Sequence, residues 1–226
     1  MRAFATAICL VLGACAVFPR PAAAGVEADA PISIGARHAD FKSELASAPA
    51  QRLADWALHS HDNAGLPFVI VDKASAKVFV LDRDGQLLGA TPALIGLARG
   101  DESVPGIGNR KISTILAHER TTPAGRFVAS LERSLHGDPV LWVDYEGGVA
   151  LHRVIEVPKE RRLQRLASRN ALDRRITYGC INVPSVFFDN VIRATFKATP
   201  GIVYVLPESR SLHEVFGSYE VQESPR

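Results

Sequence analysis

Cys180 stands in the stretch RRITYGCINVP, residues 174–184, and the only other cysteines, Cys9 and Cys15, lie within the first fifteen residues. A thiol does chemistry as a thiolate. As a nucleophile it needs a base within reach, a group that orients the base, and donors for the oxyanion. Gly179 lets the backbone approach a substrate closely and adopt unusual dihedrals. The amides of Tyr178, Gly179 and Cys180 are therefore candidate oxyanion donors. Of the seven histidines, His152 closes the apolar run GVALHRV, where a strand would hold it rigidly. His38, His59 and His61 fall in an N-terminal helical region, and His118, His136 and His213 fall in loop-like or terminal sequence. On residue types alone, a catalytic thiol and a small buried hydrophobe both stay open for Cys180. No HExxH or paired-cysteine spacing is present, so the reading calls for no metal and no other cofactor.

The compartment sharpens the question. The chain opens MRAFATAICLVLGACAVFPRPAAAG: one arginine, an apolar run over residues 3–18, two prolines and a run of alanines. That is the pattern of a secretory signal peptide over residues 1–24, with cleavage after Ala24. The stretch LGAC offers a rival, a lipoprotein box that would place a lipid on Cys15. No later run reaches the roughly 18 apolar residues that a transmembrane segment needs. With Arg2 and Arg20 removed and no acidic residue lost, the 26 basic residues fall level with the 24 acidic ones. A net charge near zero argues against a nucleic-acid partner. Exported proteins usually pair their thiols or lack them, so an unpaired Cys180 is unusual.

The elements that must position these residues follow from the pattern. Residues 25–65 read as an N-terminal extension, with helical spacing over 37–61 carried by Leu53, Trp56 and Ala57. From residue 66 short β-branched runs take over: PFVIVD, then KVFVLD and LLGATPALIG joined at Asp84-Gly85 as a hairpin. Residues 96–110 read as a Gly-rich loop. KISTILA, GRFVASL, PVLWVDYE, GVALHRV and GIVYVLPE read as further strands. Residues 157–170 read as a short basic helix or ordered loop, and Pro184 suits the first turn of a helix over 184–196. The expected fold is mainly β, a sandwich or barrel with a few short helices and a small helical N-terminal extension. The main domain spans 66–207, and 208–226 is a C-terminal tail.

The pair LHRV and ITYGCINV resembles the signature of the L,D-transpeptidase catalytic domain of the YkuD type. The matching positions are His152, Thr177, Gly179, Cys180, Ile181 and Asn182. TTPAGRF, residues 121–127, resembles that family's TP-x-G strand entry, and the strand order before it is similar to the domain's opening. The resemblance covers about residues 66–207. It implies that Cys180 is the nucleophile and His152 the general base and acid. The backbone carbonyl of Arg153 would orient the imidazole, and the Gly179 backbone would hold the oxyanion. It implies peptidoglycan stem peptides as partners, attacked at the L-centre of meso-diaminopimelate, with transfer to an amine acceptor. Two features depart from the family: Tyr178 stands where a second histidine is usual, and the spacer of 24 residues between His152 and Thr177 is longer than usual. The extra residues, 157–170, read as an insertion beside the cleft, a lid or substrate wall.

Further candidates for substrate contact are Tyr178, Thr177, Asn182, Arg174 and Arg175, with Thr177 and Asn182 also suited to hydrogen bonding within the turn that presents the thiol. The basic run Lys159, Arg161, Arg162, Arg165 and Arg169 is either a solvated face or a means of capturing stem-peptide carboxylates. Two other functions stay open: hydrolysis of the same linkage as a carboxypeptidase or endopeptidase, and non-catalytic binding of peptidoglycan.

Overall fold

The computed structural model describes residues 37–222. The signal-peptide and Cys15 readings lie outside them. Helix α1, Ala48–His59, begins at Ser47, whose hydroxyl accepts from the Ala50 amide, with Pro49 in the first turn. The helical reading from residue 37 is thus too long. Residues 37–47 instead run along the β2–β3 hairpin described next, and Asp40 bridges to Gln86.

Ten strands follow: β1 Phe68–Asp72, β2 Lys77–Leu81, β3 Leu87–Pro92, β4 Ile95–Gly96, β5 Gly125–Arg133, β6 Pro139–Asp144, β7 Val149–Arg153, β8 Arg175–Thr177, β9 Ile181–Val183 and β10 Gly201–Val205. Eight form one sheet in the order β3-β2-β1-β10-β5-β6-β7-β9, and β4 pairs with β8. Only β1·β10 and β7·β9 are parallel within the large sheet. Leu94, just past β3, exchanges two 2.8 Å backbone hydrogen bonds with Asn182 of β9. The two edges of the sheet therefore meet, and the sheet almost closes on itself as a barrel. The mainly β fold with a few short helices agrees with the sequence reading.

Strand alternation feeds two cores. Val69, Val71, Val78 and Val80 pack with Leu151, Ile181, Val183, Phe188 and Ile192. Phe68, Ile70, Phe79 and Leu81 pack with Leu53, Ala54, Trp56 and Leu58 of α1. This is why the four apolar residues of FVIVD are all buried: each faces one core or the other.

Several elements differ from the sequence reading. LLGATPALIG is two strands, because Pro92 ends β3. KISTILA is not a strand: it forms 3₁₀ turns at Ile112–Thr114 and Ala117–Glu119. Ile115 is buried but Ile112 and Leu116 are exposed, so the segment lacks the buried face that would reward a strand. Arg110 instead holds Thr114 O and the Glu119 carboxylate, and that carboxylate accepts from the Leu116 amide. Pro184 precedes its helix as the cap rather than opening its first turn. The helix is α3 Ser185–Phe187, a π turn Phe188–Ile192 and α4 Arg193–Phe196. Between β7 and β8 lies α2, Arg162–Leu166. The segment after β10 is tied to the domain rather than trailing from it. Glu208, Ser209 and Arg210 amides bind the Asp101 carboxylate, and α5, Leu212–Phe216, packs on the second core.

Candidate active site

Cys180 occupies the turn between β8 and β9. Leu151, Ile181 and Val183 point into the barrel core. By the period of two, Ala150, His152, Cys180 and Asn182 share the opposite face of the β7·β9 pair. The register sets His152 against Asn182 and Leu151 against Ile181, so Ala150 lies beside Cys180.

The turn itself is over-determined. Gly179 has φ +129°, and a Cβ there would lie 2.8 Å from Thr121 O. Its carbonyl accepts from the buried Thr122 hydroxyl at 2.8 Å, and that hydroxyl in turn accepts from the Gly96 amide at 2.9 Å. Gly96 is itself required, since a Cβ would meet Arg120 O at 2.4 Å. Thr177 Oγ1 donates to Cys180 O at 2.6 Å and accepts from the Gly179 amide at 3.2 Å. The Gly179 amide is therefore occupied by Thr177. The amides of Tyr178 and Cys180 enter no hydrogen bond found among the described residues.

His152 Nδ1 lies 2.8 Å from Arg153 O, and its Nε2 lies 3.0 Å from Asn182 Nδ2. The two contacts agree on one tautomer: Nδ1–H donates to the carbonyl, and Nε2 accepts from the Asn182 amide. In this state the partner of the thiol is Gly148 O at 3.6 Å, not the imidazole. Burial pushes the Cys180 thiol up, opposed by the Ala150 amide and by Arg162. Burial likewise pushes His152 down, opposed by the Arg153 carbonyl and reinforced by Arg162. Both shifts favour the neutral forms.

Arg153 turns its side chain away from this face, to Asp189 at 3.2 and 2.5 Å and over the Phe188 ring. Tyr178 is half-buried, with the Arg120 guanidinium 3.9 Å from its ring centroid.

Arg174 and Arg175 sit beside the thiol strand but are buried and committed. Arg174 donates to Ser168 O and Ser75 O at 2.7 Å. Arg175 donates to backbone carbonyls at Gly96, Ala98 and Lys73 and pairs with Glu208. Neither turns a free guanidinium toward Cys180. In the basic run, Arg165 is spent on Glu160 O and Asp173 O, both at 2.9 Å. Lys159, Arg161 and Arg169 are exposed. Only Arg162 reaches the site, with Nη1 3.4 Å from Asn182 Oδ1.

Sequence reasoning missed the support beneath the turn. Lys73, 1% exposed, donates to Gly100 O, Asp101 Oδ1 and Thr122 O at 2.6, 3.0 and 3.0 Å. Burial alone would raise the Asp101 carboxyl, but the Ser209 hydroxyl, the Glu208 and Ser209 amides and Lys73 outweigh it and hold the group well below the usual range. Thr122 links this ionic cluster to Gly179. The one signal in sequence was TTPAG, which marked a strand start and nothing more. Among the described residues there is no group of three or more His, Cys, Asp or Glu side chains placed to hold a metal ion. No helix among them is long and apolar enough to cross a membrane.

No family model and no curated protein matches the chain. Among solved structures, the chain is similar to L,D-transpeptidase domains. The catalytic domain of the Enterococcus faecium L,D-transpeptidase is 18% identical, with 62% of this chain and 96% of that one covered and a TM-score of 0.37. For the Xylanimonas cellulosilytica L,D-transpeptidase the values are 15%, 62%, 60% and 0.42. For Pgp2, the helical cell shape determining protein of Campylobacter jejuni, they are 16%, 64%, 49% and 0.43. The chain thus spans about 60% of the Xylanimonas chain and about half of Pgp2. These likenesses are distant, and the functional reading rests on the chain's own residues.

Proposed function

We propose that this chain is an exported cysteine acyltransferase of the L,D-transpeptidase type, acting on peptidoglycan tetrapeptide stems. The observation that carries the reading is the 2.8 Å contact of His152 Nδ1 with Arg153 O. The Nδ1–H is locked on Arg153 O, so Nε2 is a proton acceptor on the same strand face as the Cys180 thiol. Burial favours the neutral forms of both groups, which suits a base-assisted attack rather than a preformed ion pair.

Nε2 first exchanges the Asn182 amide for the thiol proton. Sulfur then attacks the carbonyl carbon at the L-centre of meso-diaminopimelate, and His152 takes the proton. The carbonyl electron pair moves to oxygen, where the unoccupied amides of Cys180 and Tyr178 are the available donors. Collapse breaks the C–N bond, His152 returns the proton to the leaving D-alanine amine, and a thioester remains on Cys180. An acceptor amine attacks the thioester, losing a proton to His152, and the thiol is restored as a 3→3 cross-link forms.

The test is mass spectrometry of the purified protein with a disaccharide-tetrapeptide, alongside Cys180→Ala. A cross-linked dimer with released D-alanine, absent with Cys180→Ala, is expected. Tripeptide without dimer would assign the site to hydrolysis. A folded protein that yields neither product nor acyl-enzyme would refute catalysis on this substrate and favour a binding role.

A further inference from the structure

Arg162 is set apart from the other basic residues of the 157–170 segment. Its side chain is only 13% exposed, yet it is not consumed by backbone carbonyls as Arg165, Arg174 and Arg175 are. Glu160 holds its Nε at 2.5 Å. On the opposite edge, Nη1 makes one long contact, 3.4 Å to Asn182 Oδ1, and Nη2 enters no hydrogen bond found among the described residues. Asn182 is the residue whose amide covers His152 Nε2, two positions along the strand from Cys180. A largely buried guanidinium with an under-used fork therefore lies over the thiol–imidazole face. Such a fork matches a carboxylate bidentately, and a buried cation gains most from an anion.

We propose that the Nη edge of Arg162 is a carboxylate subsite, and that it selects acyl donors bearing a free carboxylate next to the attacked carbonyl. A carboxylate seated there competes with Asn182 Oδ1 for Nη1. It therefore draws on the same contact that holds the Asn182 amide over Nε2, so donor binding and uncovering of the base are linked. The proposal deepens the reading of Cys180 as a nucleophile and rests on it. The field of Arg162 at both Cys180 and His152 agrees with this placement.

The test uses two small electrophiles that differ in charge, with no peptidoglycan present. Iodoacetate carries a carboxylate one bond from its reactive carbon, and iodoacetamide is its neutral counterpart. In each case the Cys180 sulfur displaces iodide, and mass spectrometry reads the rate. The iodoacetate-to-iodoacetamide ratio cancels differences in thiol accessibility or folding between variants. We expect Arg162→Gln to lower this ratio about tenfold. Arg162→Lys, which keeps the charge and loses the fork, should fall between, and Arg165→Gln should leave the ratio unchanged. An equal ratio in wild type and Arg162→Gln, with Cys180 reactive in both, would overturn the subsite and leave the nucleophile standing. An equal fall with Arg165→Gln would reduce the effect to general surface charge and also overturn it. A native Cys180 that reacts with neither reagent, but with both after unfolding, would overturn the nucleophile and the subsite together.

Discussion

Thr122→Val removes one hydroxyl from beneath the thiol turn while keeping side-chain volume. In the native structure that hydroxyl donates to Gly179 O at 2.8 Å and accepts from the Gly96 amide at 2.9 Å, and Thr122 is 1% exposed. Both backbone partners are buried, so the substitution leaves one acceptor and one donor unsatisfied where water does not reach them. Each orphaned group costs about 1–3 kcal/mol, so the total is about 3 kcal/mol. With a urea slope of about 2 kcal/mol per M, the unfolding midpoint should fall by about 1.5 M. Thr122→Ser keeps both hydrogen bonds and loses one methyl, so it should cost only about 1 kcal/mol. Urea unfolding followed by circular dichroism measures all three proteins. If Val and Ser variants are equally destabilised, packing at the methyl outweighs the hydroxyl, and the claim that Thr122 pins the Gly179 turn through hydrogen bonds is wrong.

Three further outcomes follow from the same geometry. Gly179→Ala places a Cβ 2.8 Å from Thr121 O at φ +129°, so the protein should fold but lose Cys180 acylation by about a hundredfold; an intact-mass assay showing the full rate would mean that the turn relaxes freely. Asn182→Ala uncovers His152 Nε2 and removes a donor that favours the neutral ring. The imidazole should become more basic and the thiol more acidic, so the pH profile of iodoacetamide alkylation should move to lower pH; an unmoved profile counts against the Asn182 cover. Asp101 and His152 both have folded pKa values below their ordinary ones, so the unfolded chain binds more protons on acidification. Stability should therefore fall as the pH drops through about 6.5, from His152, and again below about 4, from Asp101. In acid-unfolding curves Asp101→Asn should flatten the second limb alone.

The parts legible in sequence are those written in local pattern. Strands β1, β2, β5, β6, β7 and β10 fall where β-branched runs are bounded by turn residues, and α1 falls where Leu53, Trp56 and Ala57 share a face. KISTILA carries the same β-branched signature, yet of its apolar residues only Ile115 is buried, and the Arg110–Glu119 pair ties the segment into turns. The thiol was visible because it is the only cysteine beyond the first fifteen residues, and His152 because it closes a strand. The roles of Lys73, Thr122 and Arg162 were not visible. Lys73 and Asp101 are distant in sequence and meet only when the barrel closes. Arg162 reads like its four basic neighbours until the fold spends Arg165 on backbone carbonyls and leaves the others in solvent. Arg174 and Arg175 show the converse: adjacency to the thiol segment suggested substrate contact, whereas burial commits both to structural hydrogen bonds.

The charge distribution at the site constrains how its proton can move. Arg162 favours a thiolate at Cys180 and opposes an imidazolium at His152, so the resting field supports one half of the proton transfer and resists the other. Burial resists both charged forms. Without a donor, the neutral pair with Nε2 covered by Asn182 is the favoured state, and a reactive thiolate is not left standing open to oxidation. A carboxylate on Arg162 offsets its positive charge at His152. The imidazolium then becomes easier to form at the moment when sulfur is attacking and no longer needs stabilising as a free anion, because its electron pair is entering the new C–S bond. On this reading the donor's own carboxylate supplies the missing half of the base, and a donor lacking that group meets an imidazole that is both covered and weak.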